Sequence, residues 1–273
     1  MQRMEGMVAV VTGASRGAGR GIALALGEAG ATVYVTGRSS REGATTDSRP
    51  ETIEETAEAV TARGGRGIPV RCDHTQEDQV AGLFARVQEE QGRLDLLVNA
   101  VWGGSENAHQ DRGRQFWLRS PSSWDGMFTA GVNPYIIACR LAAPLMLAQG
   151  HGLMTNITFW HGGFLTNLYY DVAMNAINRM SACMAHELRE TGVTVVALSP
   201  GFIRTERVMD AGLPAEALQG TESTEYPGRA VVALATDPAV KAKSGQVLTA
   251  GDLARAYGFT DIDGRYVPPY IPS

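Results

Sequence analysis

Short runs of β-branched and aliphatic residues alternate along the chain with longer segments whose apolar positions recur at helical spacing. The runs are Val8 to Val11, Thr32 to Thr36, Gly67 to Arg71, Leu94 to Asn99, Gly152 to Thr158, Thr194 to Ser199 and Gln246 to Thr249. Between them the pattern predicts helices near 18–29, 50–63, 76–91, 121–148, 170–191 and 226–236. Strand and helix in strict alternation describe a parallel sheet covered by helices on both faces. Right-handed crossovers then wind it in both directions from its middle.

Two stretches break the alternation. Ser39 to Pro50 is polar and reads as a surface loop before a helix with Glu51 and Glu54 in its first turn, as the helix dipole favours. Trp102 to Ser120 is a longer irregular segment carrying Trp102, Phe116 and Trp117, whose rings either contribute substrate contacts or pack the loop down. With 273 residues and no internal repeat, the chain is expected to form one domain spanning 1–273.

Composition narrows the partners. A hydrophobic fraction of 44%, a charged fraction of 19% and a net charge of −5 suit a globular enzyme and give no pull toward nucleic acid. Cys72, Cys139 and Cys183 are scattered, show no metal-ligating spacing, and are expected to be small buried apolar groups. The apolar run Met7 to Val11 is too brief for a secretory core, and no uninterrupted apolar stretch approaches the ~20 residues that cross a bilayer. A cytoplasmic protein without a membrane partner is the expectation.

The segment Val8 to Gly19 sets three glycines between a strand and a helix, where backbone N–H groups and the helix N-terminus can approach a pyrophosphate. Its pattern, Thr12-Gly13-x-x-x-Gly17-x-Gly19, resembles the short-chain dehydrogenase/reductase family. The resemblance extends over nearly the whole chain: Asp73 follows the third strand, Asn99 closes the fourth, and Pro200-Gly201-x-x-x-Thr205 follows the sixth. It implies a Rossmann-type, three-layer, doubly wound α/β sheet of about seven parallel strands. It also implies a cofactor site drawn from Gly13, Ser15, Arg16, Gly17, Gly19, Arg38, Asp73, Asn99, Pro200, Gly201, Ile203 and Thr205. Which dinucleotide binds depends on charge at the adenosine ribose. The second strand ends Thr36-Gly37-Arg38 with no carboxylate, and Arg16 lies in the glycine turn, so two guanidiniums favour the 2′-phosphate of NADP.

Members of the family reduce carbonyls with a tyrosine proton donor, a lysine four residues later, a strand-end serine and a helix asparagine. Ala185-His-Glu-Leu188 matches the end of the family's catalytic helix and puts Tyr170 at the donor position, with Tyr169 as the competing choice. Met174 then stands where the lysine would be, on the same helix face. A methionine cannot donate and carries no charge, so the phenol is expected to stay near its ordinary pKa. Asn175 and Arg179 point elsewhere around the helix. Thr158 supplies the serine's hydroxyl, or Phe159 fills that place and no hydroxyl remains. Asn133 matches the helix asparagine, and Trp102 sets an indole beside the cofactor pocket. His161 is a further acid or base candidate, ahead of His74, His109, His151 and His186.

These residues imply an NADP(H)-dependent reductase, slow or atypical for want of the lysine, acting on a small molecule. Two other readings stay open: a repurposed fold performing proton transfer, dehydration or cyclisation, and a cofactor-binding protein without catalysis. Met174 is a natural or a deliberate replacement. Aromatic residues in 102–124 and the tail Tyr266 to Ile271 point to a sizeable, largely apolar substrate. The resemblance further implies a homodimer or homotetramer packed through 121–148 and 170–191.

Overall fold

The computed structural model describes residues 4–43, 45–104, 113–160, 163–164 and 166–270. His109, His161 and Ile271 lie outside the described residues. The first half of the chain runs β1 (Val8–Thr12), α1 (Gly17–Glu28), β2 (Thr32–Gly37), α2 (Ile53–Ala62), β3 (Arg66–Arg71), α3 (Glu77–Gln91) and β4 (Leu96–Asn99). The second half contributes α4 (Ser122–Trp124), α5 (Asn133–Gln149), β5 (Gly152–Ile157), α6 (Leu168–Glu187), β6 (Val193–Ser199), α7 (Glu206–Asp210), α8 (Tyr226–Ala235), β7 (Val247–Thr249) and α9 (Ala250–Tyr257). All seven strands join one parallel sheet in the order β3-β2-β1-β4-β5-β6-β7. Winding reverses between β1 and β4, where Thr12 pairs with Asn99, and a crevice opens beyond those strand ends.

Both sheet faces are buried, which is why the strands read as continuous apolar runs. Val11, Val33, Val98 and Val196 turn to one face and pack under Ile22 and Leu26 of α1 and Val231 of α8. Their neighbours Val10, Tyr34, Leu97 and Val195 turn to the other, against Leu83 and Phe84 of α3 and Ala142 of α5. Helix starts follow local capping. Thr52 and Glu55 form a reciprocal capping box that opens α2 at Ile53, past the predicted start, and Asn167 Oδ1 accepts from the Tyr170 N–H at 3.1 Å and opens α6 early.

The helix expected over 121–148 is interrupted. After α4, residues Asp125–Val132 form a π-helical segment before α5 begins. The whole run Ser122–Gln149 is long and apolar enough, by length and composition, to cross a membrane, and 50% of its most apolar stretch is buried in the fold. α7 and α9, absent from the sequence reading, are short helices capped by Thr205 and Thr249. Cys72 and Cys139 are buried as expected, but Cys183 is exposed on the outer face of α6.

Candidate active site

The crevice between the two halves of the sheet is a cleft of about 580 Å³. One end, the one expected to take the nucleotide, is built by the turn after β1. Thr12 Oγ1 accepts from the N–H groups of Ala100 (3.1 Å) and Val101 (3.3 Å), drawing the two strand ends together. Gly13 sits at φ +66°, and a Cβ there would lie 2.6 Å from Val101 Cα, so no larger residue fits. Gly13, Ser15, Arg16, Gly17 and Gly19 line this side, with Arg38 and Asp73 at the end and Pro200, Gly201, Ile203 and Thr205 opposite. Eleven of the twelve residues expected there therefore meet in one cleft. Asn99 does not reach it: its side chain is buried in the core, donating to Asn156 Oδ1 at 2.9 Å and to Cys139 Sγ. Ala100, Val101 and Trp102 line the wall in its place.

Asp73 has two tasks. Its Oδ1 accepts from the Thr75 N–H (3.0 Å) and hydroxyl (2.8 Å), shaping the turn before α3 while the residue lines the cleft. Burial alone would raise its pKa, but the Thr75 bonds and the nearby Arg38 charge outweigh burial and hold it low. The neighbouring His74 is fully enclosed, bonded to Thr36 Oγ1 at 2.8 Å, and burial lowers its pKa to about 4, so it stays neutral. Arg16 lines the cleft while donating to the Thr46 carbonyl at 3.2 Å. The sequence reading missed Glu206. Its carboxylate accepts from the Gly17 N–H at 2.8 Å, at the N-terminus of α1, with Arg20 3.7 Å away. A carboxylate just after the Pro-Gly loop's threonine was the signal available.

At the other end Tyr170, Thr158, Met174 and Phe159 come together. Tyr169 does not line the cleft and packs edge-on to Trp124 at 6.2 Å, so of the two candidates Tyr170 is the one that reaches it. Trp102 lies edge-on to Tyr170, ring centroids 5.7 Å apart, so the expected indole beside the pocket is present. Met174 is buried among Met127, Val132, Tyr135 and Ile177. Among the described residues no cation shifts the phenol. Burial instead pushes Tyr170 up to about 12, above the ordinary value expected for a phenol that has merely lost its lysine. Asn175 bonds back to Asp171 and is exposed, as is Arg179. The Thr158 hydroxyl donates to the Met174 carbonyl at 3.2 Å, and Phe159 lines the cleft beside it, so the hydroxyl and the ring are both present.

Asn133 does not join them. It is exposed at the start of α5 and does not line the cleft, where Ala130 and Tyr135 stand on this wall. Gly131 is buried against the indole: a Cβ there would lie 2.8 Å from Trp102 Cζ3. Phe116 and Trp117, candidates for substrate contacts, pack edge-on to each other at 5.0 Å and are more than half exposed, at 55% and 67%, outside the cleft. Tyr135, not singled out from the sequence, and Tyr270, within the tail expected to favour an apolar substrate, line the cleft instead. Tyr135 is a buried second phenol of the cleft, donating to the Ile157 carbonyl at 2.9 Å. Tyr270, from the C-terminal segment, packs against Phe159 (5.9 Å) and Phe202 (6.2 Å).

The family model described as short chain dehydrogenase matches residues 7–214. A human protein named dehydrogenase/reductase SDR family member 1 is 40% identical over 282 residues, covering 98% of this chain and 87% of its own length. A 3-oxoacyl-[acyl-carrier-protein] reductase of Synechocystis is 31% identical over 254 residues, covering 90% of this chain and 96% of its own. Among solved structures, a short chain dehydrogenase of Mycobacterium thermoresistibile superposes with a TM-score of 0.82 at 22% identity, over 97% of this chain and 92% of that one, a likeness of fold.

Proposed function

The chain belongs to the short-chain dehydrogenase/reductase family, and from that premise we propose that it is an NADP(H)-dependent oxidoreductase of one domain, reducing the carbonyl of a sizeable, largely apolar molecule. The observation that carries this reading is the meeting of Tyr170 and Thr158 with the glycine turn in a single cleft. The donors suit a dinucleotide. A carboxylate already accepts from the Gly17 N–H at the helix terminus, the place where a phosphate oxygen would accept. Arg16 and Arg38 line the nucleotide end and offer forked donors to a 2′-phosphate.

The bound nicotinamide would supply the hydride. Tyr170 Oη gives its proton to the carbonyl oxygen as negative charge develops there. Thr158 orients that oxygen, and to donate it must rotate its hydroxyl away from the Met174 carbonyl. Met174 offers neither charge nor donor, so the reductase is slow. Asn133, exposed, is given no part. The substrate wall of Trp102, Phe159, Phe202 and Tyr270 favours an apolar ring system. We further propose a cytoplasmic homodimer or homotetramer paired through α5 and α6, whose outer faces expose Ile136, Leu147 and Val172.

Titration of the protein with NADPH, NADP and NADH, followed by fluorescence, tests the cofactor. NADPH should bind at least tenfold more tightly than NADH, and equal affinities would overturn the assignment. A second reading is favoured by the lack of a charged group acting on Tyr170 among the described residues: proton transfer or dehydration without redox change. NADPH consumed in proportion to product would exclude it.

A further inference from the structure

Next to the Pro200–Ile203 turn the fold buries a carboxylic acid that the proposed chemistry does not use. Glu222 is 0% exposed and does not line the cleft. Its Oε1 accepts from the Gly201 N–H at 2.8 Å, and its Oε2 is buried with no partner. The main chain is stitched to the same turn. The Glu222 N–H donates to the Phe202 carbonyl at 2.9 Å, the Arg204 N–H donates to the Glu222 carbonyl at 2.8 Å, and Ile203 pairs with Glu222 as a short parallel bridge. Ser223 ties the segment onward through its N–H and hydroxyl to Asp261, in the stretch that delivers Tyr270 beside Phe202.

The charges around this carboxyl do not favour its ionisation. Asp261 is buried alongside and adds repulsion. Arg204 is directed to Asp261 (3.7 Å), Asp263 (3.9 Å) and the Thr221 carbonyl. Glu225 is paired with Arg63 at 2.6 Å, and the Tyr226 phenol donates to the Val267 carbonyl at 2.8 Å. Burial, against the single Gly201 N–H and with Asp261 adding to it, pushes Glu222 up to about 8. A neutral acid tolerates this enclosure, whereas an anion with one donor does not. Once charged, Oε2 can be solvated only if water enters between the 221–223 segment and the turn, parting the two backbone bonds that join them.

We propose that Glu222 is a positioning residue that clamps the Pro200–Ile203 turn as a neutral acid, and that its ionisation loosens the turn and weakens cofactor binding. The second half of this statement rests on the proposed binding of a nicotinamide cofactor in the cleft. Hydrogen–deuterium exchange of the segment 200–205 in the ligand-free protein tests the first half. After correction for intrinsic exchange, protection should fall about tenfold between pH 7 and pH 9 in the wild type, with a midpoint near 8, and stay constant in Glu222→Gln. Constant wild-type protection, or an equal fall in both proteins, overturns the clamp. Should the variant not fold, the wild-type profile alone decides, since the clamp requires that midpoint. NADPH titration over the same range then reads the second half: the dissociation constant should rise about tenfold in the wild type and not in Glu222→Gln. A pH dependence shared by both proteins overturns the coupling. Failure of either protein to bind NADPH at pH 7 overturns the cofactor reading, while the exchange result still decides the clamp.

Discussion

Tyr170 carries the clearest consequence of a single residue. A phenol pushed up to about 12 by burial is protonated throughout the neutral range. In its proposed role of proton donor it is therefore always ready, and carbonyl reduction at saturating NADPH should show no fall from pH 6 to pH 10. Alcohol oxidation needs the phenolate, which at pH 9 is roughly one part in a thousand, so oxidation should be barely measurable and rise with pH. Initial rates in both directions across pH check this, and Tyr170→Phe should remove more than about 99% of reduction. Met174→Lys should restore the missing charge. At ~5 Å and an effective dielectric of ~20 it is worth about 3 kcal/mol, or roughly two pKa units on the phenol. Turnover should rise about tenfold, and the oxidation profile should move toward neutral pH; steady-state kinetics decide. The methionine four residues after Tyr170 was legible in the sequence, and its reading as a lysine replacement came from the family resemblance. The rise in the Tyr170 pKa was not legible, because burial depends on Trp102 and the surrounding walls folding over the ring.

At the scale of elements, the N-terminus of α1 and the short helix α7 face one another across the cleft. Thr205 caps α7, and this sets Glu206 where its carboxylate accepts from the Gly17 N–H. An anion held at a helix N-terminus competes with any phosphate brought to the same donors. Glu206→Gln should therefore tighten NADPH binding about three- to tenfold at low salt, and calorimetric titration of both proteins checks it. The π-helical segment Asp125–Val132 shows where sequence reading failed for an element. Its composition is helical, but the π-helical turns have a different period, and Asn133 is exposed while Ala130 and Tyr135 line the cleft. Counting residues from a motif loses register across such a segment.

For the whole molecule, stability and assembly each give a prediction. Glu222 has a folded pKa raised above its ordinary value to about 8. The folded state then holds that proton more tightly than the unfolded chain, so the contribution is full at acid pH and is lost as pH rises to about 8. Glu222→Gln should melt several degrees higher than the wild type at pH 9, and the gain should vanish near pH 5. Thermal scans at both pH values check the sign. Light scattering should give a mass two or four times 29.1 kDa, and Leu147→Asp with Val172→Asp should shift it toward the monomer.

Sequence by itself determined the seven strands, the glycine turn, the placing of Arg16 and Arg38 after the first two strands and the methionine four residues after Tyr170. Each is a local matter of period, spacing or residue chemistry, readable without knowing what lies opposite. Only the tertiary structure decided that Asn99 turns into the core, that Asn133 faces outward, and that Tyr270 arrives from the far end of the chain beside Phe159. Likewise it alone set Glu222 behind the Pro-Gly turn with an unsatisfied oxygen. These depend on contacts between residues distant along the chain, whose burial and pKa follow from packing that no local pattern encodes.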